Sequence, residues 1–185
     1  MKHPASREFF DYWDSKRGDA RAPERSDIDP NAMRGLLGDI FVLSCDTRAG
    51  YPFRIAGTRL CATFGRDLKD TSFPSLFAAA SRPEIEEIVG TVTDEMLPAI
   101  AGLTATGPRG ALSHLELLLL PFNSRAHAPI SLTGLLAPFE NADSALGELT
   151  LSSFRYIHPP PESLLPRVVR KLKIARGLMV YEGLR

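Results

Sequence analysis

The sequence is poor in the features that would assign its class directly. It holds only two cysteines, Cys45 and Cys61, in 185 residues, and two cannot build the disulfide framework of a small secreted protein. It has no excess charge of either sign, because 22 basic residues balance 22 acidic ones. A neutral total argues against nucleic acid or an anionic membrane as a partner. The apolar run at residues 117–120 is too short to span a bilayer, and so is the five-residue run at residues 76–80.

What remains is the composition of an ordinary folded domain. The apolar fraction is 44% and the charged fraction 24%, both typical of globular proteins. A chain of 185 residues can bury one substantial core and still carry flanking helices. The first ten residues are polar and lack the apolar segment of a signal peptide. We therefore expect a cytoplasmic protein with both thiols reduced.

Four stretches have the apolar spacing or the start signals of helices. Residues 4–16 form an amphipathic pattern, with Ser6 as the expected N-cap. Asp29, followed by a proline, predicts a second, short helix. Residues 58–64 predict a third helix. Ser81, with a proline two residues later and a glutamate three residues later, predicts the start of a longer one.

The remaining patterned stretches are β-rich. Five of them predict strands, and a sixth is a candidate: residues 40–45, 53–56, 100–106, 112–122, 130–137 and, as the candidate, 149–157. Within the fourth, Leu115, Leu117 and Leu119 share one face, which we assign to the core, while His114 and Glu116 lie on the other. Helices separate only the second and third strands, which predicts an α+β fold with an antiparallel sheet.

The chain divides into three parts by composition. Residues 1–37 predict an N-terminal helical cap, residues 38–158 the core and residues 159–185 a tail. Within the tail, residues 167–181 predict a basic helix or a mobile segment. Its alternating basic and apolar residues leave open a role in binding an acidic partner, a membrane surface or RNA.

Several phrases of the sequence resemble a family of PAS-like domains common in alphaproteobacteria. These phrases are FFDYWDSKRGDARAPERSDIDPNAMRGLLGDIFVL, FRIAGTRLCATFGRDLKDTSF, LELLLLPF and SLTGLLAP, in that order. The resemblance spans residues 8–138 and agrees with the predicted order of strands and helices. It implies a PAS-like five-stranded antiparallel sheet with helices on one face, preceded by N-terminal helices and followed by the basic tail.

The resemblance also implies a sensory or regulatory module that acts through other proteins. PAS domains often hold a small ligand between sheet and helices, and they often form dimers through flanking helices. We expect no resident cofactor, and any ligand is expected to be small and apolar, because the residues that would line its pocket are almost all apolar. The candidates are Phe53, Ile55, Leu60, Cys61, Phe64, Phe77, Ile88, Val92, Leu115, Leu117, Leu132 and Leu136. The same residues can equally form a filled core, which close packing favours.

The N-terminal aromatic residues and the second apolar face of the long strand predict an interface. Leu118 and Leu120 lie opposite the core face and need a cover, because large exposed apolar patches are unusual on a monomer. The N-terminal helix, a second subunit or both can supply it. The interface candidates are Phe9, Phe10, Tyr12, Trp13, Leu118 and Leu120. We expect a homodimer whose signalling partner is unknown.

The sequence contains no recognisable catalytic or metal-binding motif. Cys61 lacks the surrounding signature of a flavin-reactive thiol, so it and Cys45 are expected to be packing residues. The four histidines, His3, His114, His127 and His158, match no compact metal motif. The alternative is a small enzyme, for which the best polar candidates are Arg54, Thr58, Arg59 and Thr133.

Overall fold

The computed structural model describes residues 1–107, 110–123, 131–140 and 145–157, and the backbone of residues 170–173 and 179–182. Its helices are α1 (Pro4–Arg17), α2 (Thr58–Phe64) and α3 (Arg82–Asp94). Short 3₁₀ turns span Arg25–Asp27, Pro30–Met33 and Phe73–Leu76. The strands are β1 (Ile40–Ser44), β2 (Phe53–Ala56), β3 (Ala99–Thr106), β4 (Leu112–Pro121), β5 (Ser131–Pro138), β6 (Leu149–Tyr156), β7 (Arg170–Lys173) and β8 (Met179–Glu182).

The first six strands form one antiparallel sheet in the order β2-β1-β5-β4-β3-β6. This order confirms the predicted α+β fold. The first and fifth strands, β1 and β5, lie side by side. The candidate sixth strand, β6, pairs with β3 and forms an edge of the sheet.

The sheet is covered on both faces. One apolar cluster, which we call the inner core, lies between the sheet and the helical segments α2, α3 and Phe73–Leu76. A second cluster, which we call the outer core, contains Phe9 and Trp13 of α1, together with Leu118 and Leu120 of β4. Of the covers considered for these two leucines, the structure therefore shows the N-terminal helix in place.

The burial pattern of β4 explains why both layers are needed. Leu115, Leu117 and Leu119 are buried in the inner core, as the alternation predicted. Leu118 and Leu120, between and beyond them, are fully buried in the outer core. A strand with apolar residues on both faces is stable only when both faces exclude water.

The structure corrects the position of Ile55, which was predicted to line the inner core. Val42 pairs with Ile55, whereas the next residue of β1, Leu43, pairs with Phe53, so Arg54 is the extra residue of a β-bulge. The bulge reverses the side-chain alternation, and it places Phe53 in the inner core and Ile55 on the other face. Ile55 is 50% exposed, so it belongs to neither core.

The start of α1 also differs from the prediction. The helix begins at Pro4, and its N-cap is His3, whose Nδ1 accepts a hydrogen bond from the Ala5 N–H at 3.1 Å. Ser6, the predicted cap, lies in the first turn and is buried. The ring of Pro4 restricts its φ to a helical value, so the helix begins about one turn before the start that Ser6 would cap.

Residues 167–181 of the tail were predicted to form a basic helix or a mobile segment, and in the two described stretches the backbone is extended instead of helical. There β7 and β8 pair antiparallel, with Arg170 opposite Glu182 and Lys173 opposite Met179. Val180 and Tyr181 favour strands over helices, and the basic amphipathic pattern does not by itself distinguish the two.

The close approach of two chain segments makes Gly57 a sensitive position. A Cβ atom there would lie 2.2 Å from the Gly38 carbonyl oxygen and 2.3 Å from that of Leu37. Both are backbone atoms, and the Gly38 oxygen also accepts the Leu60 N–H at 2.9 Å. The Gly57→Ala substitution is therefore expected to lower the free energy of unfolding by about 3 kcal/mol, near the upper end of overpacking effects.

Chemical denaturation of Gly57→Ala and of Gly35→Ala tests this contact. A Cβ at Gly35 meets nothing within 4 Å, so that control is expected to keep the stability of the parent. Equal unfolding midpoints for the two variants would contradict the close approach.

Candidate functional site

The inner core brings together most of the residues that were predicted to line a pocket. Nine of the candidates are buried in it: Phe53, Leu60, Phe77, Ile88, Val92, Leu115, Leu117, Leu132 and Leu136. Cys61 and Phe64, both on α2, are partly buried and pack against it. Only Ile55 lies outside, for the reason given above.

Four phenylalanine rings occupy the space between the sheet and the helical segments. Phe41, Phe53, Phe73 and Phe77 contact one another with ring centroids 5.3–5.7 Å apart. The Phe41 ring lies over Gly134 of β5, where a Cβ would come within 2.3 Å of it. Phe41 and Phe73 were not among the predicted lining residues, although the position of Phe41 on the inner face follows from its spacing to Leu43.

Polar groups at the margin of the inner core are bonded locally. The Cys45 sulfur lies 3.5 Å from the Thr93 hydroxyl, which donates to the Val89 carbonyl at 2.8 Å. Burial raises the pKa of the Cys45 thiol above its ordinary value. A raised pKa keeps the thiol protonated near neutral pH, and a protonated thiol is a poor nucleophile and a poor metal ligand.

The residues considered for an enzyme lie apart from the inner core. Arg54, Thr58 and Arg59 are exposed. The Arg59 guanidinium binds both carboxylate oxygens of Asp39, at 2.9 and 2.6 Å, and thereby joins α2 to the start of β1. The Thr133 hydroxyl is buried and donates to the Phe41 carbonyl at 2.9 Å. Each of these bonds holds the fold together, and none joins two of the four candidates.

Four of the six predicted interface residues are used within the chain. Phe9, Trp13, Leu118 and Leu120 are buried in the outer core. The Trp13 indole N–H donates to the Pro121 carbonyl at 2.9 Å, which satisfies the polar end of a fully buried ring. Phe10 and Tyr12 are half-buried: they pack against the outer core, and the rest of their surface is accessible.

A buried carboxylate fastens the beginning of the chain to the sheet. Glu116 of β4 is buried, and its two oxygens accept the Lys2 N–H at 2.7 Å and the His3 N–H at 2.9 Å. The anion therefore lies at the N-terminus of α1, where the helix dipole also favours negative charge. The alternation placed Glu116 on the outer face correctly, but the pairing across 114 residues leaves no local signal in the sequence.

The four histidines, considered as metal ligands, lie in different parts of the chain. His3 caps α1 and His114 is exposed, whereas His127 and His158 lie outside the described residues. Within the described ranges, no group of three or more His, Cys, Asp or Glu side chains is placed to hold a metal ion. Over the same ranges, no helix has both the length and the apolarity needed to cross a bilayer.

Comparison with known proteins identifies the fold family. A family model described as PAS domain matches residues 1–137. The crystal structure of the PAS domain of an HTR-like protein from Haloarcula marismortui is similar at 18% sequence identity; the match covers 59% of this chain and 90% of that one, with a TM-score of 0.42. No curated protein matches this sequence.

The Glu116 carboxylate gives a direct test of how α1 is fastened. In Glu116→Gln the side chain can accept only one of the two backbone N–H groups, and hydrogen bonds to charged groups contribute about 1.5–3 kcal/mol. Hydrogen exchange of the α1 amides is expected to be about tenfold faster or more, since about 1.4 kcal/mol corresponds to tenfold.

The matched control is Glu140→Gln, which alters an exposed glutamate and is expected to leave α1 exchange unchanged. Exchange in α3, on the opposite face of the sheet, is expected to stay the same in both variants. Unchanged α1 exchange in Glu116→Gln would show that the carboxylate does not hold the helix.

Proposed function

Because this chain belongs to the PAS domain family, we propose that it is a non-catalytic regulatory module that acts through contacts with other proteins, as a homodimer. PAS domains are generally sensory or regulatory modules without catalytic activity of their own. The observation that carries the proposal is the position of α1, which covers the outer face of the sheet and turns part of its aromatic surface outward.

The half-buried aromatic side of α1 supports the homodimer. Phe10 stacks on Trp13 with ring centroids 6.0 Å apart, so one of its faces is packed within the chain. Leu37, close to the end of the N-terminal segment, is 40% exposed. Aromatic residues held rigidly at a surface bind partners with little loss of conformational entropy, which suits this side of α1 to a second copy of the chain.

The inner core supports gating by a small apolar molecule. Its buried members are apolar apart from local hydrogen bonds at the margin, so a charged or strongly polar ligand would lose its hydration without compensation. The phenylalanine rings are contributed by β1, β2 and the segment Phe73–Leu76 with its neighbour Phe77. A molecule that enters between them would move these elements, and β1 is joined through Asp39 and Arg59 to the N-terminal segment.

Sedimentation of the full chain tests the homodimer. The parent is expected to be a dimer in the micromolar range, and Phe10→Ser is expected to weaken the dimer at least tenfold because it removes an aromatic contact at its centre. Leu112→Ser, at a residue 58% exposed on β4, is the control and is expected to dimerise like the parent. A monomeric parent at the highest concentrations reached would contradict the proposal.

Two measurements test the gating. Native and denaturing mass spectrometry show whether a small molecule co-purifies, and thermal unfolding is measured in the presence of indole, naphthalene or decanol. At least one of these compounds is expected to raise the melting temperature. The increase in melting temperature is expected to be larger for Ile88→Val than for the parent, because this substitution opens space in the inner core. For Ile55→Val, at an exposed position, the increase is expected to equal that of the parent. If no mass co-purifies and none of the three compounds raises the melting temperature, the ligand-gated version of the proposal is ruled out.

A further inference from the structure

The outer face of the sheet carries a groove that α1 does not fill. It has a volume of about 690 Å³ and lies beyond the beginning of α1, over β3, β4 and β6. The groove is deep at Gly102, which has no side chain to fill it. A Cβ atom at this position would lie 3.1 Å from the Ser153 hydroxyl oxygen. Its walls include Lys2, Ile100, His114, Phe139 and Arg155.

The exposed charge of the groove is positive. Lys2 and Arg155 are exposed, and neither takes part in an ion pair within the described residues. Glu116 is the acidic residue of the lining, but it is buried and both its oxygens are bonded to backbone N–H groups. Two unpaired cations beside an apolar floor suit a ligand that carries carboxylates and apolar groups together.

The outer edge of β6 is partly covered within the chain. Along its first half, the Leu149 carbonyl accepts the Ala78 N–H at 2.8 Å, and the Leu151 N–H donates to the Ser81 hydroxyl oxygen at 3.1 Å.

The second half of this edge adjoins the groove. The Ile157 N–H donates to the Pro98 carbonyl at 2.7 Å. Because hydrogen bonding alternates along an antiparallel pair, the backbone groups of Phe154 and Tyr156 point away from β3. Within the described residues, the bridge on that edge is at Leu149, and no strand pairs with its second half at Phe154 and Tyr156. An unpaired strand edge is a template for an additional extended segment.

The side chains of β6 differ between its two faces. Arg155 pairs with Ile100 and lies on the outer side, toward the groove. Phe154 and Tyr156 lie on the other side, with ring centroids 5.8 Å apart, and Phe154 is 38% exposed. A strand added beside β6 therefore meets a cation on one face and aromatic rings on the other.

We propose that the groove and the edge of β6 bind an extended peptide segment of a partner protein in which acidic and apolar residues alternate. Its carboxylates lie on the groove side near Lys2 and Arg155, and its apolar side chains lie over Phe154 and Tyr156. The inference rests on the proposed interaction role and names a surface for it. A membrane is a poorer fit, because lipid surfaces are recognised by clusters of four to eight cations rather than two.

Fluorescence anisotropy with three labelled octapeptides tests the proposal: one alternating glutamate and phenylalanine, one alternating lysine and phenylalanine, and the glutamate peptide methylated at alternate backbone nitrogens. The parent is expected to bind the first peptide and neither of the others. Methylation removes the N–H groups that pair with β6 and leaves the charge unchanged.

Substitutions at Arg155 test whether the charge of this surface, rather than the folding of the variant, determines peptide binding. Arg155→Glu is expected to weaken binding of the glutamate peptide at least tenfold and to gain affinity for the lysine peptide, with Arg155→Gln between it and the parent. Arg48→Glu, at an exposed arginine in the β1–β2 connection, is the matched control and is expected to bind like the parent. Circular dichroism checks that each variant is folded.

Four results would overturn the proposal: no binding of the glutamate peptide, equal binding of the methylated one, equal losses in Arg155→Glu and Arg48→Glu, or binding to phosphatidylserine vesicles in place of the peptide. Sedimentation of the parent distinguishes this failure from that of the proposed function. If the dimer persists while the peptide does not bind, only the groove is excluded; if neither is seen, the interaction role fails as well.

Discussion

The constraint on which the structure depends is that β4 is apolar on both faces. Leu115, Leu117 and Leu119 require one hydrophobic layer, and Leu118 and Leu120 require another. At about 25 cal/mol per Å² of apolar surface, leaving either face in water would remove much of the stability of a small domain. The position of α1 follows from this requirement, as does the burial of Trp13 with its indole bonded to the end of the same strand.

The two layers suit different tasks. The inner core is closed by contacts between phenylalanine rings, and its described buried members are hydrophobic side chains. The outer layer is fastened at one end by the Glu116 carboxylate, and it leaves Phe10 and Tyr12 half-buried. Between the layers, Asp39 and Arg59 join α2 to the segment that leads from α1 into β1.

Local patterns predicted much of this fold, and non-local pairings explain the rest. The bounds of β2 and α2 agree with the sequence prediction because glycines punctuate both, and the need to cover Leu118 and Leu120 followed from alternation alone. The bulge at Arg54 reversed the orientation of Ile55, and no residue type announces a bulge in a four-residue strand. The role of Glu116 depends on a contact with the other end of the chain.

The cover that α1 provides for the outer face of the sheet is reported directly by Trp13, which is the single tryptophan. Its ring is 1% exposed and lies in the outer core. Tryptophan emission of the native full chain, with iodide as quencher, is therefore expected to be blue-shifted and almost unquenched, and to become red-shifted and accessible on unfolding. Emission and quenching in the native protein that match those of the unfolded chain would contradict the account.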